Sequence, residues 1–328
     1  MPLFVLPLRK RARRIAGSQA LKEENRIPAE RQVATAEFLL GVDGGGTNCR
    51  ARLADTAGKV LGEGVAGPAN IRLGLEASLA AVVEAARQCL AEADLGELVF
   101  ARTLACVALA GATEPRELEA AQRHRLPFRH WIVTTDAHAA CVGAHRGREG
   151  GVVIVGTGSI GWAIADGQHY RVGGWGLLLG DEGSGAWLGR AAMQRVLRAY
   201  DGRIPWTPLL TRLFEQFDAD PHRIVRWTAT ARPGDFGALA PAVVEYAAQD
   251  DPAGVSLMRR AAHHIDGLVL RLLGLGVEQL ALSGGLAPAL EPWLASETRA
   301  RLVPAAGDAL SGALRLAREE AAALSAEA

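Results

Sequence analysis

Lysine is scarce in this chain of 328 residues, and the scarcity excludes one common way of binding a nucleotide. Only three lysines occur, so almost all of the 36 basic residues are arginines. A P-loop requires a lysine directly after a glycine and directly before a serine or threonine. The one Gly-Lys pair, Gly58-Lys59, is followed by Val60. A P-loop is therefore excluded, and any nucleotide must be bound by another device.

Cysteine, net charge and long apolar runs are also limited. The four cysteines form no CxxC pair and no cysteine–histidine cluster of zinc-ligand spacing, so we expect no zinc site and a reducing cytoplasm. The 36 basic residues balance 36 acidic ones, which argues against a protein that coats nucleic acid. No apolar run reaches the roughly 18 residues that a membrane helix needs. We expect neither nucleic acid nor a membrane as a partner.

The first 36 residues differ from the rest of the chain. They contain 8 basic and 3 acidic residues, and five of the basic ones lie between Arg9 and Arg14. Such a segment could contact nucleic acid or an anionic surface. The interpretation that we favour is a disordered extension at residues 1–36, or a start codon placed too far upstream.

Two later parts of the chain follow one plan. An apolar run from Phe38 ends in a glycine-rich turn and continues as two further strands, and a second run from Gly151 does the same. Helical spacing and largely apolar strands follow each unit. This duplication predicts an α/β fold with two lobes around a central cleft. We expect residues 37–147, with the C-terminal helix 305–328, in the N-terminal lobe and residues 148–304 in the C-terminal lobe.

The two glycine-rich turns are candidates for phosphate binding. Consecutive glycines let backbone N–H groups approach a phosphate without a Cβ in the way, and a hydroxyl adds a further donor. Gly45, Gly46 and Thr47 meet this description in the first unit, and Thr157 and Gly158 in the second. Either turn alone could be an ordinary hairpin. Their matched positions favour a polyphosphate bound between the lobes.

Two aspartates end predicted strands beside the expected cleft. Asp43 precedes the first glycine-rich turn, where a carboxylate can hold Mg²⁺ beside phosphates, although aspartate is also common in turns. Asp136 follows the strand Trp131–Thr135. It can take the proton of a hydroxyl nucleophile, or it can cap the helix that begins at about Ala137. Spacing does not separate these two roles.

A third group of residues suits a sugar. Asp181 and Glu182 follow a glycine-rich stretch that contains Trp175. Carboxylates bind vicinal hydroxyls, and an indole ring can stack on a pyranose; the alternative is an acidic surface loop. His263 and His264 lie within a helical pattern without a partner at ligand spacing, so we interpret them as structural.

Taken together and in this order, the motifs resemble the actin–hexokinase superfamily. "GVDGGGTNCRA" and "IVGTGS" match its two phosphate motifs, and "LSGGLAP" matches its adenosine motif. "TTDAHAA" matches the segment of the catalytic base, and "GGWG" with "GDEGSG" matches the sugar-side loop. The resemblance covers about residues 38–320. It lies closest to the branch of bacterial glucosamine kinases, N-acetylglucosamine kinases and the activator ATPases of CoA-ester dehydratases.

The resemblance implies two RNase H-like lobes, ATP and Mg²⁺ as cofactors, and a role for each matched residue. Asp136 is implied as the catalytic base and Asp43 as the metal residue, directly or through water. The phosphate and adenosine residues implied are Gly45, Gly46, Thr47, Thr157, Gly158, Gly284 and Gly285. The sugar residues implied are Asn70, Asp136, Ser159, Trp175 and Asp181.

The resemblance also implies a substrate, the 6-hydroxyl of glucosamine. "ANIRLG" and "TDAHAACVGAH" are closest to glucosamine kinases, whereas "GGWGLLLGDEG" is more like the kinases of acetylated sugars. N-acetylglucosamine therefore stays open as the alternative. An activator ATPase would need cysteines in a suitable glycine-rich loop for its iron–sulfur cluster, and no cysteine here lies in one. A sugar-sensing regulator would need a helix-turn-helix domain, for which a 36-residue arm is too short. The oligomeric state is left open, with a homodimer as one arrangement.

Overall fold

The apolar runs on either side of the first glycine-rich turn form the first two strands of a five-stranded sheet. The computed structural model describes residues 36–112 and 115–326, so the basic segment predicted at residues 1–36 lies almost wholly outside them. The strands are β1 (Phe38–Gly44), β2 (Cys49–Asp55), β3 (Val60–Ala66), β4 (Thr103–Leu109) and β5 (His130–Thr135). Their order is β3-β2-β1-β4-β5. Strand β2 is antiparallel to its neighbours β1 and β3, whereas β4 and β5 run parallel to β1.

Three helices follow the strands of this first sheet. They are α1 (Leu75–Glu92), α2 (Pro115–Arg123) and α3 (Asp136–Ala144). Helix α1 packs on β3 at very short range, because Gly64 has no side chain: a Cβ there would lie 2.1 Å from the carbonyl oxygen of Ala85. Each residue of β4 is buried, as expected for a central strand that is covered on both faces.

The second apolar run forms the first strand of a four-stranded sheet that follows the same plan. Its strands are β6 (Gly150–Val155), β7 (Ser159–Ala165), β8 (Gln168–Gly173) and β9 (Leu280–Ser283), in the order β8-β7-β6-β9. The place of a fifth strand is taken by a single parallel bridge between Leu280 and Leu302. Pro304 has no N–H to continue that ladder, so the duplication is incomplete in the second lobe.

Helices fill the stretch between β8 and the end of the second lobe. They are α4 (Gly185–Tyr200), α5 (Pro208–Glu215), α6 (Pro221–Thr228), α7 (Pro233–Gly237), α8 (Ala240–Ala248), α9 (Pro252–Leu273), α10 (Ala287–Leu290) and α11 (Ser296–Arg299). Proline is the first residue of four of them, where its missing N–H costs no hydrogen bond. Asp251 caps α9 from a buried position and also accepts the backbone N–H of Leu209, which ties α5 to α9.

The last helix, α12 (Ala309–Ala326), packs on the first sheet and crosses α3. The two helices touch backbone to backbone: a Cβ on Gly312 would lie 1.8 Å from the carbonyl oxygen of Ala139, and one on Gly143 would lie 2.0 Å from that of Asp308. On its other side α3 contacts Val152 and Ala281 of the second sheet. This crossing joins two lobes of the predicted α/β class. In the described ranges, no helix is long and apolar enough to cross a membrane.

Candidate active site

A cleft of about 2240 Å³ lies between the two lobes and contains most of the residues that the motifs singled out. Both glycine-rich hairpins open into it. The predicted residues on its walls are Gly45, Gly46, Thr47, Asn70, Asp136, Thr157, Gly158, Ser159, Trp175, Asp181 and Gly285. Asp43 and Gly284 are not among the lining residues, but Asp43 is paired with the lining residue Arg50 and Gly284 precedes the lining residue Gly285.

The first hairpin presents its backbone at the tip of β1 and β2. The N–H of Gly45 closes the turn by donating to the carbonyl oxygen of Asn48 at 2.9 Å. Gly46 and Thr47 are exposed beyond this bond. Exposed backbone donors without bulky side chains are suited to an anion.

The second hairpin mirrors the first and is tied to a helix. The N–H of Gly156 donates to the carbonyl oxygen of Gly158 at 2.9 Å. The first residues of α4, Gly185 and Ala186, donate to the carbonyl oxygens of Gly156 and Thr157. The 16-residue helix α4 therefore points its N-terminus at this hairpin, and the positive end of its dipole faces the cleft.

The turn after β9 brings a third glycine pair to the cleft. Gly284 has a φ of +100°, and a Cβ on it would lie 2.4 Å from the carbonyl oxygen of Val155. Its absence of a side chain lets the turn pack against β6, so Gly284 serves the backbone geometry. Gly285, the next residue, is exposed and lines the cleft. Pro241 and Val244 of α8 and Leu286 add apolar surface at this end.

Asp136 stands where β5 ends and α3 begins. The side chain that caps α3 is that of the preceding residue, Thr135, whose Oγ1 accepts the N–H of His138 at 3.1 Å. Asp136 is the first helical residue, and its Oδ1 accepts the N–H of Ala137 at 2.8 Å. The capping role that the sequence left open thus belongs to Thr135. The Asp136 carboxylate lines the cleft and retains partial exposure.

The surroundings of Asp136 make it a stronger base than an ordinary aspartate. Burial raises the pKa of Asp136 to about 7, and the negative charge of Asp43 acts in the same direction. The hydrogen bond from Ala137 and the charge of Arg171 oppose this shift. A carboxyl group with this pKa is well matched to proton transfer near neutral pH.

His138, two residues further along α3, is a second titratable group near the cleft. Its Nδ1 lies 2.7 Å from Oγ1 of Thr134, and its ring contacts Trp162 and His169 of the second lobe. Burial lowers the pKa of His138 to about 4. A ring with so low a pKa is a weak proton acceptor, and His138 is not among the residues that line the cleft, so Asp136 is the better base candidate.

Asp43 forms part of an ion-pair network behind the first hairpin. Its Oδ2 lies 2.6 Å from Nη2 of Arg50, directly across the β1–β2 pair. Nη1 of Arg50 lies 3.3 Å from Asp308, which precedes α12. The described residues contain no group of three or more metal-ligating side chains. A Mg²⁺ ion that comes with a nucleotide needs few protein ligands, so a single carboxylate beside the phosphate hairpin fits this use.

The sugar-side residues of the first lobe are fixed by the end of β4. Asn70 forms a bridge with Ala110, and its Oδ1 accepts the N–H of Arg72 at 3.0 Å. Arg72 in turn donates from Nε to the carbonyl oxygen of Gly111 at 3.2 Å. Gly111 has a φ of +81° and stands so close to Asn70 that a Cβ would lie 2.1 Å from its Oδ1. The Asn70 side chain is held rigidly at the cleft wall.

The sugar-side loop of the second lobe, residues 173–184, is organised by Asp181 and Arg171. Asp181 has a φ of +53°, and its Oδ1 accepts the N–H of Gly176 at 3.1 Å. Burial raises the pKa of Asp181, while the Gly176 hydrogen bond and the charge of Arg72 oppose that shift. Arg171 donates to the carbonyl oxygens of Gly173 and Gly174 and lies over the Trp175 ring, 4.4 Å from its centroid.

Ser159 lines the cleft, and its side chain already has a partner within the protein. It is buried, and its Oγ donates to the carbonyl oxygen of Glu182 at 2.7 Å. This bond joins the phosphate hairpin to the sugar-side loop. The oxygen lone pairs of Ser159 are what it can still offer to a ligand.

Sequence reasoning did not single out the arginines that line the cleft, which are Arg50, Arg72, Arg123, Arg171 and Arg232. Arg72 could have been found, because it stands inside the quoted motif "ANIRLG", two residues after Asn70. Arg171 lies on a strand without a recognisable motif. Only the pairing of β7 with β8 brings it to the cleft.

Two lobes with matched glycine-rich hairpins, facing one carboxylate on the cleft wall, define the actin–hexokinase class of ATP-binding protein. The chain belongs to the BadF/BadG/BcrA/BcrD ATPase family, whose model matches residues 40–311. The family and the fold that the motifs predicted are confirmed.

Individual relatives carry more specific descriptions. The chain is 38% identical to a glucosamine kinase of Vibrio cholerae over 85% of this chain and 95% of the relative. It is 34% identical to an N-acetylmuramic acid/N-acetylglucosamine kinase of Clostridium acetobutylicum over 51% of this chain and 56% of the relative. A solved structure from Chromobacterium violaceum, assigned provisionally as an N-acetylglucosamine kinase, has a TM-score of 0.81 and 35% identity over 86% of this chain and 99% of its own.

Proposed function

We propose that this protein is an ATP-dependent amino-sugar kinase that phosphorylates the 6-hydroxyl of glucosamine. The observation that carries the proposal is Asp136, a carboxylate on the cleft wall between two phosphate-type hairpins, whose pKa burial raises to about 7. The similarity to the Vibrio cholerae glucosamine kinase supports the choice of sugar.

In this mechanism Asp136 acts as the general base. The sugar 6-oxygen attacks the γ-phosphorus of ATP, and its proton passes to the Asp136 carboxylate as the new O–P bond forms. The bond between the γ-phosphorus and the bridging oxygen breaks, and its electron pair leaves with ADP. Holding the hydroxyl, the carboxylate and the phosphate in one closed cleft supplies most of the remaining acceleration.

The two hairpins would hold the phosphates. In the first lobe Gly46 and Thr47 offer exposed backbone donors, and Gly45, whose N–H closes the turn, lets a phosphate approach without a Cβ in the way. In the second lobe Thr157 and Gly158 offer their backbone to the cleft. The N-terminus of α4 behind the second hairpin adds positive potential.

The adenosine would lie at the third glycine pair. Gly285 would contact it directly beside the apolar surface of Pro241, Val244 and Leu286. Gly284 contributes by keeping this turn against β6.

Asp43 would hold the Mg²⁺ that accompanies ATP, directly or through water. The ion would neutralise part of the phosphate charge. Because Asp43 is paired with Arg50 at 2.6 Å, binding the ion requires the carboxylate to exchange or share that partner.

The sugar would occupy the other end of the cleft. Asn70 and Asp181 offer amide and carboxylate groups to its hydroxyls, and Trp175, which is largely exposed, offers an aromatic face. Ser159 supports the site through its bond to Glu182.

N-acetylglucosamine is the second candidate substrate, and the charges at the sugar end give it support. Arg72 and Arg171 both face this end, so it is less acidic than a site built around Asp181 alone would be.

The activator ATPase and the sugar sensor are disfavoured. All four cysteines are buried, so none is available at a surface for a bridging iron–sulfur cluster. A homodimer and a cytoplasmic location stay predictions.

A coupled assay of ADP release tests the proposal with ATP and glucosamine, N-acetylglucosamine or glucose. We expect the highest kcat/KM for glucosamine and a 6-phosphate product. A higher kcat/KM for N-acetylglucosamine moves the assignment to the second candidate. If the folded protein binds ATP but phosphorylates none of the three sugars, the kinase assignment is refuted.

A further inference from the structure

Arg72 is a first-lobe residue whose side chain reaches the second lobe. Its backbone is fixed by the Asn70 side chain, and its Nε is fixed by the carbonyl oxygen of Gly111. Beyond these anchors the guanidinium extends across the cleft: a Cβ on Gly176 would lie only 2.7 Å from its Nη1. Gly176 belongs to the sugar-side loop of the second lobe and has a φ of +87°. The positive charge of Arg72 is thus held at the sugar end of the cleft.

The groups around this charge are the ones that would face a sugar. Arg72 acts electrostatically on Asp181 and on Arg171. Asp181 lies between the sugar-side loop and the second phosphate hairpin, since its Oδ1 accepts the N–H of Gly176 and its Oδ2 would lie 3.0 Å from a Cβ on Gly158. Asp136 and Glu117 also act on Arg171. Cations and carboxylates are therefore interleaved at this end.

A protonated amino sugar responds to these charges and an acetylated one does not. A carboxylate such as Asp181 attracts the ammonium group of glucosamine, whereas a fixed guanidinium beside it repels that group. The neutral acetamide of N-acetylglucosamine is indifferent to both to first order. The balance between Asp181 and Arg72 therefore acts on the ratio of the two substrates rather than on either alone.

We propose that Arg72 is a specificity-determining residue that limits the preference of this cleft for cationic over neutral amino sugars. The inference rests on the proposed kinase function and deepens it. It assigns the protein to kinases that accept both charge types, with the charge at position 72 as the element that sets their ratio.

The test compares kcat/KM for glucosamine and for N-acetylglucosamine in the wild type, Arg72→Gln, Arg72→Met and Arg72→Lys. It is run at a pH where the glucosamine amine is protonated. We expect both neutral variants to raise the glucosamine to N-acetylglucosamine ratio by about fivefold, the equivalent of about 1 kcal/mol for an exposed charge. Arg72→Lys keeps the charge while changing the shape, so its ratio should stay within about twofold of the wild type, well below the full effect of an exposed charge. The effect of the neutral variants should shrink as salt is added.

Two outcomes overturn the proposal in distinguishable ways. If the wild type is active but the neutral variants lower kcat/KM equally for both sugars, Arg72 only supports the loop and its charge does not set specificity. A folded wild type that binds ATP but phosphorylates neither sugar overturns the proposed function, and this inference with it. Melting temperatures and ATP affinities of all four proteins are measured alongside, and two neutral side chains are used so that one poorly folded variant does not decide the result.

Discussion

The carboxylate of Asp43 lies 2.6 Å from the guanidinium of Arg50, on the neighbouring strand, and the same guanidinium lies 3.3 Å from Asp308. Arg50 thereby links the end of β1 to the start of α12 behind the phosphate hairpin. Both carboxylates share one cation, but only Asp43 stands at the base of the hairpin. The pair gives a matched comparison for the proposed metal residue.

Asp43→Asn should raise the Mg²⁺ concentration that gives half-maximal activity, because an amide is a weaker ligand for Mg²⁺ than a carboxylate. Asp308→Asn is the control, since asparagine caps a helix as well as aspartate does and the Arg50 contact is weakened in the same way. Activity is titrated with Mg²⁺ at fixed ATP in both variants. Coincident Mg²⁺ curves for Asp43→Asn and the wild type would show that Asp43 has no metal role.

Asp136→Asn should remove activity while making the protein no less stable. We expect kcat to fall by about 10²–10⁴-fold, the usual contribution of a general base. Thr135 caps α3, so the helix is kept. ATP affinity and the circular dichroism spectrum serve as controls. A kcat within about tenfold of the wild type would be too small a loss for a general base.

The stability of the wild type should depend on pH through the same residue. The pKa of Asp136 is raised from 3.8 to about 7. The folded protein therefore binds the proton more tightly than the unfolded chain, and this group's contribution to stability falls as pH rises between these values. Asp136→Asn should show a higher melting temperature than the wild type above pH 7 and little difference at pH 4. Parallel melting curves across this range would contradict a raised pKa.

The acid limb of the pH–activity profile should also report Asp136. The base must be deprotonated, so kcat/KM should decrease as pH is lowered through about 7. His138, with a pKa lowered to about 4, should not contribute to this limb. His138→Gln is the control and should keep the same apparent pKa in kcat/KM. An apparent pKa of this limb close to that of an ordinary aspartate would contradict a pKa of Asp136 that burial raises.

Gly312→Ala should destabilise the protein, because its Cβ would lie 1.8 Å from the carbonyl oxygen of Ala139 where α12 crosses α3. A cost of about 1–3 kcal/mol is expected for such overpacking. Gly267→Ala is a matched control within α9, since nothing lies within 4 Å of its Cβ position. It should stabilise by up to about 1 kcal/mol through helix propensity. Urea denaturation measures the free energy of unfolding of both variants. Equal changes in that free energy would show that the close contact between α12 and α3 adds no cost to Gly312→Ala.

A chain that begins at Glu37 should fold with an unchanged melting temperature. Glu37 already belongs to the fold, because its N–H donates to the carbonyl oxygen of Arg102 and its carboxylate pairs with the Arg102 side chain at 2.7 Å. The measurement is the melting temperature and specific activity of residues 37–328 beside those of the full chain. Loss of solubility or activity would show that the preceding residues contribute to the core.

Local signals in the sequence determined much of this protein. Runs of β-forming residues that end in glycines predicted the strands and both hairpins, because a tight turn beside a ligand needs residues without a Cβ. The duplication predicted two lobes and one cleft. Asp136 was placed at a strand end correctly, since strand ends of an α/β sheet meet at one edge.

Only the tertiary structure decided how these groups act, because their properties come from neighbours that are distant in sequence. Spacing could not tell whether Asp136 is a base or the cap of α3, and the structure assigned the cap to Thr135. The raised pKa of Asp136 arises from burial and from Asp43, which is 93 residues earlier in the numbering. Arg72 and Gly176 meet only because the lobes face one another. The electrostatic effect of a charged group depends on its distance from neighbouring groups, and folding sets those distances.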